Sequence, residues 1–272
     1  MIINYDEFYE MLEKHIQSGE DFYVKLLDTV ITNPNRYCGI FRLSNPKTKL
    51  IQNISQSREI KFGDFFEDLT TEYIARLGYK NFDKDLGQDE NGDFLNVDQF
   101  FTDDNSIFLV EMKMRDDHDS TKKRGQYSNF HKKVNLIRNR YPDYHVEASM
   151  WFVDDSLVKN KNYYRDEMAK ETFENINLNL YYGEEFFASL KSGKQAWDEL
   201  ISLLQDYHKK NNDDEFESIP DFGTSDEIYQ ALLKLPNSSF NKLVSDKTEY
   251  VMLRDLLFSN GNNIEKAIKN RK

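Results

Sequence analysis

Apolar residues recur at helical spacing from the start of the chain. Tyr5, Phe8, Tyr9, Leu12 and Ile16 share one predicted helix face, and Phe22, Val24, Leu26 and Leu27 mark a second, less regular helical stretch. NPNRY at Asn33–Tyr37 and NPK at Asn45–Lys47 read as turns. A wide apolar face returns from near Gly63, with Phe65, Phe66, Leu69, Tyr73, Ile74 and Leu77, and ends at Gly78. The period then changes. Phe94–Phe101 and Ser106–Met114 have strand patterns, and TDDN between them predicts a hairpin. A helix is predicted from about Ser120 to Arg140, with Tyr127, Phe130, Val134, Leu136 and Ile137 inward, stopped by Pro142–Asp143. Val146–Val153 and Ile176–Tyr182 are two further strands with room for a helix between them; Phe186–Leu190 and Ala196–Tyr207 are helical. Lys209–Glu227 is polar and punctuated, a linker by its composition, and short amphipathic helices follow it. This order predicts an α/β fold: a mixed central β-sheet flanked by helices, with helical N- and C-terminal additions.

The chain has 272 residues, enough for one elaborated domain. It is 31% charged, yet 14% aromatic with 20 Phe and 16 Tyr, so it should fold rather than remain disordered. A lone cysteine, Cys38, forms no intramolecular disulfide, which fits a reducing cytoplasm. The longest apolar runs, Ile107–Met112 and Ala148–Val153, are of strand length, so no membrane partner is expected. Acidic residues stand near the amino terminus where a signal peptide would be basic.

The net charge of −12 taken alone argues against nucleic acid, but its distribution does not. Lys113–Arg140 holds nine Lys or Arg against three Asp; this window is +6 and the remainder −18. Next to it lies the densest chemistry. Glu111 and Lys113 are two apart on a strand and therefore project from one face. Pairing Phe101 roughly against Ser106 sets Asp98 opposite about residue 109, within a residue or two of Glu111. Buried charges must be paired or bind a metal. Two carboxylates with a backbone carbonyl between them make a hard oxygen site suited to Mg2+, and a neighbouring ammonium can orient water or neutralise phosphate charge. Alone, E-x-K is a common exposed ion pair. A strongly apolar strand, an acid across the hairpin and a basic helix after it distinguish this one.

An Asp, a turn, E-x-K on the next strand and a following helix resemble the PD-(D/E)xK nuclease superfamily, and within it type II restriction endonucleases. The likeness covers roughly residues 61–210, carried by GDFFEDLTTEYIARLGY, VDQFF…LVEMKMR and DSTKKRGQYSNFHKKV, with LYYGEEFFASLKSG as a distal element. Val97 stands where the superfamily's name has Pro. The resemblance implies a single nuclease domain over 1–272, with a catalytic core at 61–210, an N-terminal helical region at 1–60 and a C-terminal helical extension at 211–272. It makes Asp98 and Glu111 metal ligands, gives Met112 a ligating carbonyl, and has Lys113 orient or activate water. Glu67 would add an acid from the preceding helix, with Asp64 and Glu72 as rivals. A shifted hairpin would substitute Asp93 for Asp98, but an odd shift turns it to the other face.

Lys122, Lys123 and Arg124 near a helix start form a candidate phosphate clamp. Gly125 allows close approach, and Gln126, His131 and Arg115 are further DNA-contact candidates. Arg36, Arg42, Arg58, Asn160, Lys161, Asn162 and Arg165 are possible base readers. There is no zinc spacing, no phosphate-loop motif and no serine-nucleophile signature, so no nucleotide cofactor is expected. The expected activity is Mg2+-dependent, site-specific cleavage of double-stranded DNA in defence against foreign DNA, by a homodimer whose two-fold axis matches a palindrome. Two other readings stay open: a structure-selective repair or recombination nuclease, and a non-catalytic DNA-binding module on a nuclease-like core.

Overall fold

Along Ser106–Lys113, Ile107, Leu109 and Glu111 face one way while Phe108, Val110 and Met112 face the other, and most of these side chains are buried. Such a strand is stable only in the middle of a covered sheet. In the computed structural model, which describes residues 1–15, 20–89, 91–210 and 220–271, this segment is β5, the central member of a five-stranded sheet ordered β1-β4-β5-β6-β7. β1 (Lys80–Asn81) and β4 (Gln99–Thr102) run antiparallel on one side. β6 (His145–Phe152) and β7 (Ile176–Tyr182) run parallel to β5 on the other. β2 (Asp85–Gln88) and β3 (Phe94–Asn96) form a separate ribbon.

The helices are α1 (Tyr5–His15), α2 (Glu20–Thr32), α3 (Asn35–Cys38), α4 (Pro46–Arg76), α5 (Ser120–Arg140), α6 (Lys161–Met168), α7 (Glu185–Ser189), α8 (Gly193–Lys210), α9 (Asp226–Lys234), α10 (Asn237–Leu243), α11 (Thr248–Leu257) and α12 (Asn263–Asn270). The chain divides into two compact units: Met1–Met11 with Gly63–Lys210, and Leu12–Phe62 with Asn211–Lys272.

The first unit is the mixed α/β core. Ile107 and Leu109 of β5, with Val146, Ala148, Met150 and Phe152 of β6, pack against Phe130, Val134 and Ile137 of α5. On the opposite face, Trp151 meets Phe66 of α4, Phe186 and Phe187 of α7 and Trp197 of α8. Burying these large side chains is the main stabilising term, at roughly 1.5–3 kcal/mol per fully buried side chain. The second unit is all-helical, built around Leu27, Ile31, Tyr37, Leu50, Ile54, Leu232, Leu243 and Leu253. Among the described residues, no helix is long and apolar enough to cross a membrane.

Four expectations change in detail. The NPNRY turn contains the short helix α3, which starts at Asn35. The NPK turn is a helix start: Asn45 Oδ1 accepts from the Thr48 amide at 2.8 Å, and α4 runs from Pro46 without a break through the predicted start at Gly63. The strand-like Phe94–Phe101 is two strands, because the chain leaves the β2–β3 ribbon and joins the main sheet at Val97–Asp98. The pairing Phe101↔Phe108 is displaced by two residues from the predicted register; an even displacement preserves the face and brings Asp98 closer to Glu111. The reversal between β4 and β5 is closed by Asp103 Oδ1, which accepts from the Asn105 and Ser106 amides, and by Asp104 at φ 73°. Residues 211–219 of the predicted linker lie outside the described residues.

Candidate active site

Asp98 occupies the bend just before β4, and its Oδ2 accepts the Met112 amide at 2.6 Å. By the observed register, that amide is the one a longer β4 would have bonded. The carboxylate thus takes over from the ladder at the point where the strand ends. Glu111 and Lys113 project from the same face of β5, and the Lys113 ammonium reaches three oxygens: Met112 O at 2.7 Å, Glu111 Oε1 at 2.8 Å and Asp98 Oδ2 at 3.2 Å. A single cation therefore lies where two carboxylates and a carbonyl converge.

A second ammonium completes the cluster. Lys133 of α5 is 5% exposed and donates to Glu111 Oε2. Glu111 is 6% exposed and carries one lysine on each oxygen. Burial pushes the Glu111 carboxyl up, but the charges of Lys113 and Lys133 more than offset this and hold it below the ordinary glutamate value. Asp98 moves the other way, raised by burial and by the charge of Glu111 against the opposing pull of Lys113. Burial disfavours the Lys113 ammonium, yet Asp98 and Glu111 together raise it above the usual lysine value. Four charges in a partly enclosed space thus compensate one another, as buried charge requires.

The donor set fits a divalent cation. Mg2+ keeps most of its water and is held by one or two carboxylates, and the Lys113 ammonium already satisfies, as a positive group, the oxygens such an ion would use. Among the described residues no group of three or more His, Cys, Asp or Glu side chains gathers around one point, so a protein-only cage is not the arrangement here. The model of the type II restriction endonuclease HinfI family matches residues 4–95 and 82–208. The chain belongs to that HinfI family of type II restriction endonucleases. No curated protein matches the chain. Membership makes this a DNA-cleaving hydrolase, and the core described above is the restriction-endonuclease-like fold.

Within this HinfI-family core, Glu67 of α4 lies near enough to Asp98 for their charges to interact. Burial raises its carboxyl first and Asp98 adds to that, while Lys84, at 2.7 Å from Oε1, opposes both. Its position is fixed by Gln99, a residue that strand alternation did not single out. Gln99 is fully buried; its Nε2 donates to the Glu67 carbonyl at 2.7 Å and its Oε1 accepts from Thr71 at 2.8 Å, tying β4 to α4 beside Asp98. Of the rivals, Asp64 is exposed one turn before Glu67 on α4, Glu72 pairs with Arg76 at 2.7 Å, and Asp93 is exposed with Lys132 at 3.7 Å.

The basic segment separates into two sides. Asp119 caps α5, accepting from the Thr121 and Lys122 amides at 3.0 and 2.8 Å. Lys122 and Arg124 are exposed in the first turns, and Lys123 lies over the Tyr163 ring at 4.5 Å. Gln126 is seven residues before Lys133, about two turns, and therefore on the same helix face; its Oε1 accepts from Tyr164 at 2.7 Å. His131 is two residues from Lys133 and turned to the other side, where Nε2 is 3.4 Å from Glu171. Arg115 is exposed in the loop after β5.

That loop holds the other buried acid. Asp116 is fully buried and accepts from the Asn160 amide at 2.7 Å, Asn160 Nδ2 at 2.8 Å and the Tyr182 hydroxyl at 2.9 Å. Asn160, a candidate base reader by sequence, is thus 5% exposed and fastens the loop instead.

Lys133 is the main functional residue that sequence reasoning missed. By sequence it counts only as one of the nine basic residues of Lys113–Arg140. The available signal was its place within the inward stripe of Phe130, Val134 and Ile137, where a solvated lysine does not belong.

Proposed function

We propose that this family member cleaves double-stranded DNA at a short recognition sequence in an Mg2+-dependent reaction, with Asp98, Glu111 and the Met112 carbonyl holding the ion. The supporting observation is the convergence of those three oxygens on one ammonium, next to a basic helix. When bound, Mg2+ supplies Lewis-acid stabilisation of the negative charge that grows on the phosphoryl oxygens.

The residues do the rest. Lys113 donates to the attacking water and orients it; the water oxygen bonds to phosphorus and releases its proton to solvent, the phosphodiester P–O bond breaks, and the departing oxygen takes up a proton from solvent. Lys133, bound to the far oxygen of Glu111, keeps that carboxylate ionised and aimed. Glu67, held by Gln99, adds a second-side acceptor for water beside Asp98. Lys122, Lys123 and Arg124 receive a phosphate at the start of α5; Gln126 and Arg115 flank that path. A homodimer places two such centres about one axis, so that both strands of a palindrome are cut.

Incubating plasmid DNA with the protein in Mg2+ and in EDTA tests this reading. Discrete fragments sharing one end sequence are expected with Mg2+ only, and not from folded Lys113→Ala. Cleavage in EDTA, or fragment ends with no common sequence, would overturn it.

A further inference from the structure

In the helical unit, Asn33–Phe62 carries six basic residues (Arg36, Arg42, Lys47, Lys49, Arg58 and Lys61) against one acid, Glu59, for a net +5. With this segment and the +6 window around α5 set aside, the remainder of the −12 chain carries −23. Positive charge is therefore concentrated in two places. Arg36 and Arg42 are exposed, and Lys47, also exposed, is near enough to Asp221 for their charges to interact. Lys47 and Lys49 lie near the start of α4, whose first turn contains no acid. The macrodipole disfavours cations there. α1 and α9 show the usual preference, with Asp6 and Glu7 or Asp226 and Glu227 in their first turns.

The centre of this segment is apolar and outside the core. Tyr37 and Cys38 before it, and Leu50 and Ile54 after it, are buried. Between them Ile40, Phe41 and Leu43 are 84%, 94% and 108% exposed. The turn that presents them has a fixed start, for a Cβ on Gly39 would approach the Asn35 carbonyl oxygen to 2.5 Å, and the Arg42 amide donates to Gly39 O at 3.1 Å. An exposed apolar cluster marks a binding surface. Its cationic surround favours a polyanion with apolar contacts to offer, and duplex DNA has both, since side chains such as Phe, Leu and Ile enter the minor groove beside phosphate-bound Arg and Lys.

We propose that residues 36–47 are a second duplex-DNA contact surface, with Arg36, Arg42 and Lys47 on phosphates and Ile40, Phe41 and Leu43 in the minor groove. This rests on the reading of the chain as a nuclease of duplex DNA, and extends it to the helical unit.

Anisotropy of a fluorescein-labelled mixed-sequence duplex in EDTA, with salt varied, tests the surface alongside plasmid cleavage in Mg2+. For Arg36→Ala/Arg42→Ala/Lys47→Ala, the slope of log K on log salt should fall by roughly 2–3, about 0.9 per phosphate contact. Phe41→Ala/Leu43→Ala should weaken binding roughly tenfold at unchanged slope, because apolar contacts release no counterions. All these side chains are exposed, so folding should persist, checked by thermal melting. Variants equal to wild type in affinity and slope, with wild type cutting plasmid, overturn this surface and leave the nuclease reading standing. A wild type that neither binds nor cuts removes both. Unchanged DNA binding with a lower oligomeric state by light scattering assigns the apolar tip to a second copy of the chain and also overturns the proposal.

Discussion

Glu111 and Asp116 are both buried acids, five residues apart at the end of β5 and its following loop, and they are neutralised in opposite ways. Glu111 is held by two ammonium groups, each on a long aliphatic stem. Asp116 is held by neutral donors fixed by the backbone and by buried rings: an amide, a carboxamide and a phenol. On the proposed reading, the first arrangement lets Lys113 give way to another cation with its water, because the carboxylate keeps a positive partner throughout. The second offers nothing to exchange and serves as a lock between the β5–α5 loop and the start of α6. Burial of a carboxylate thus does not mark a catalytic group; the kind of partner does.

The largest effect that would sharpen this contrast belongs to the lock. Asp116→Ala leaves three buried donors without an acceptor, at about 1–3 kcal/mol each, and should cost about 3–5 kcal/mol of stability by urea unfolding. Mg2+ affinity measured by calorimetry on the folded protein should not move. Lys113→Ala should weigh on activity instead: a loss of roughly 10²–10³-fold in cleavage rate with a smaller drop in unfolding midpoint than Asp116→Ala, since Glu111 keeps Lys133 and Asp98 keeps the Met112 amide. Lys133→Met is intermediate, costing about 1–3 kcal/mol. It should also tighten Mg2+ binding, because a fixed positive charge has gone from beside a ligand; looser binding would break the comparison.

The smallest effect is in the pH profile. An ion needs the Asp98 carboxylate, and that carboxyl is raised by burial and by Glu111, so Mg2+ affinity should fall on acidification above the pH at which an ordinary aspartate protonates. The charge of Lys133 pulls Asp98 down. Lys133→Met should therefore move this acid limb to higher pH, by less than about one unit. A limb that moves lower would contradict the sign.

What was readable in the sequence is what local periodicity controls. α5 runs over Ser120–Arg140 and β7 over Ile176–Tyr182 as the apolar spacing predicts, and the hairpin brings Asp98, Glu111 and Lys113 together because strand alternation fixes their face. The unread features depend on partners distant in sequence. The first half of α4 has no clean apolar stripe, so its length escaped pattern reading. β1 and β2, two and four residues long, carry too little pattern to register and exist through pairing. Lys133, Gln99 and Asp116 are polar residues whose roles arise only when another segment is brought against them.

The turn at Asp103–Asn105 sets more than the direction of the chain. Because Asp98 occupies the position where β4 stops and β5 would lose its neighbour, the number of residues in that reversal meters how far the acid reaches along β5. Removing or adding one residue there would rotate β4 by half a pleat and carry the aspartate out of reach of Lys113 and the Met112 amide, leaving every helix in place and the chemistry dismantled.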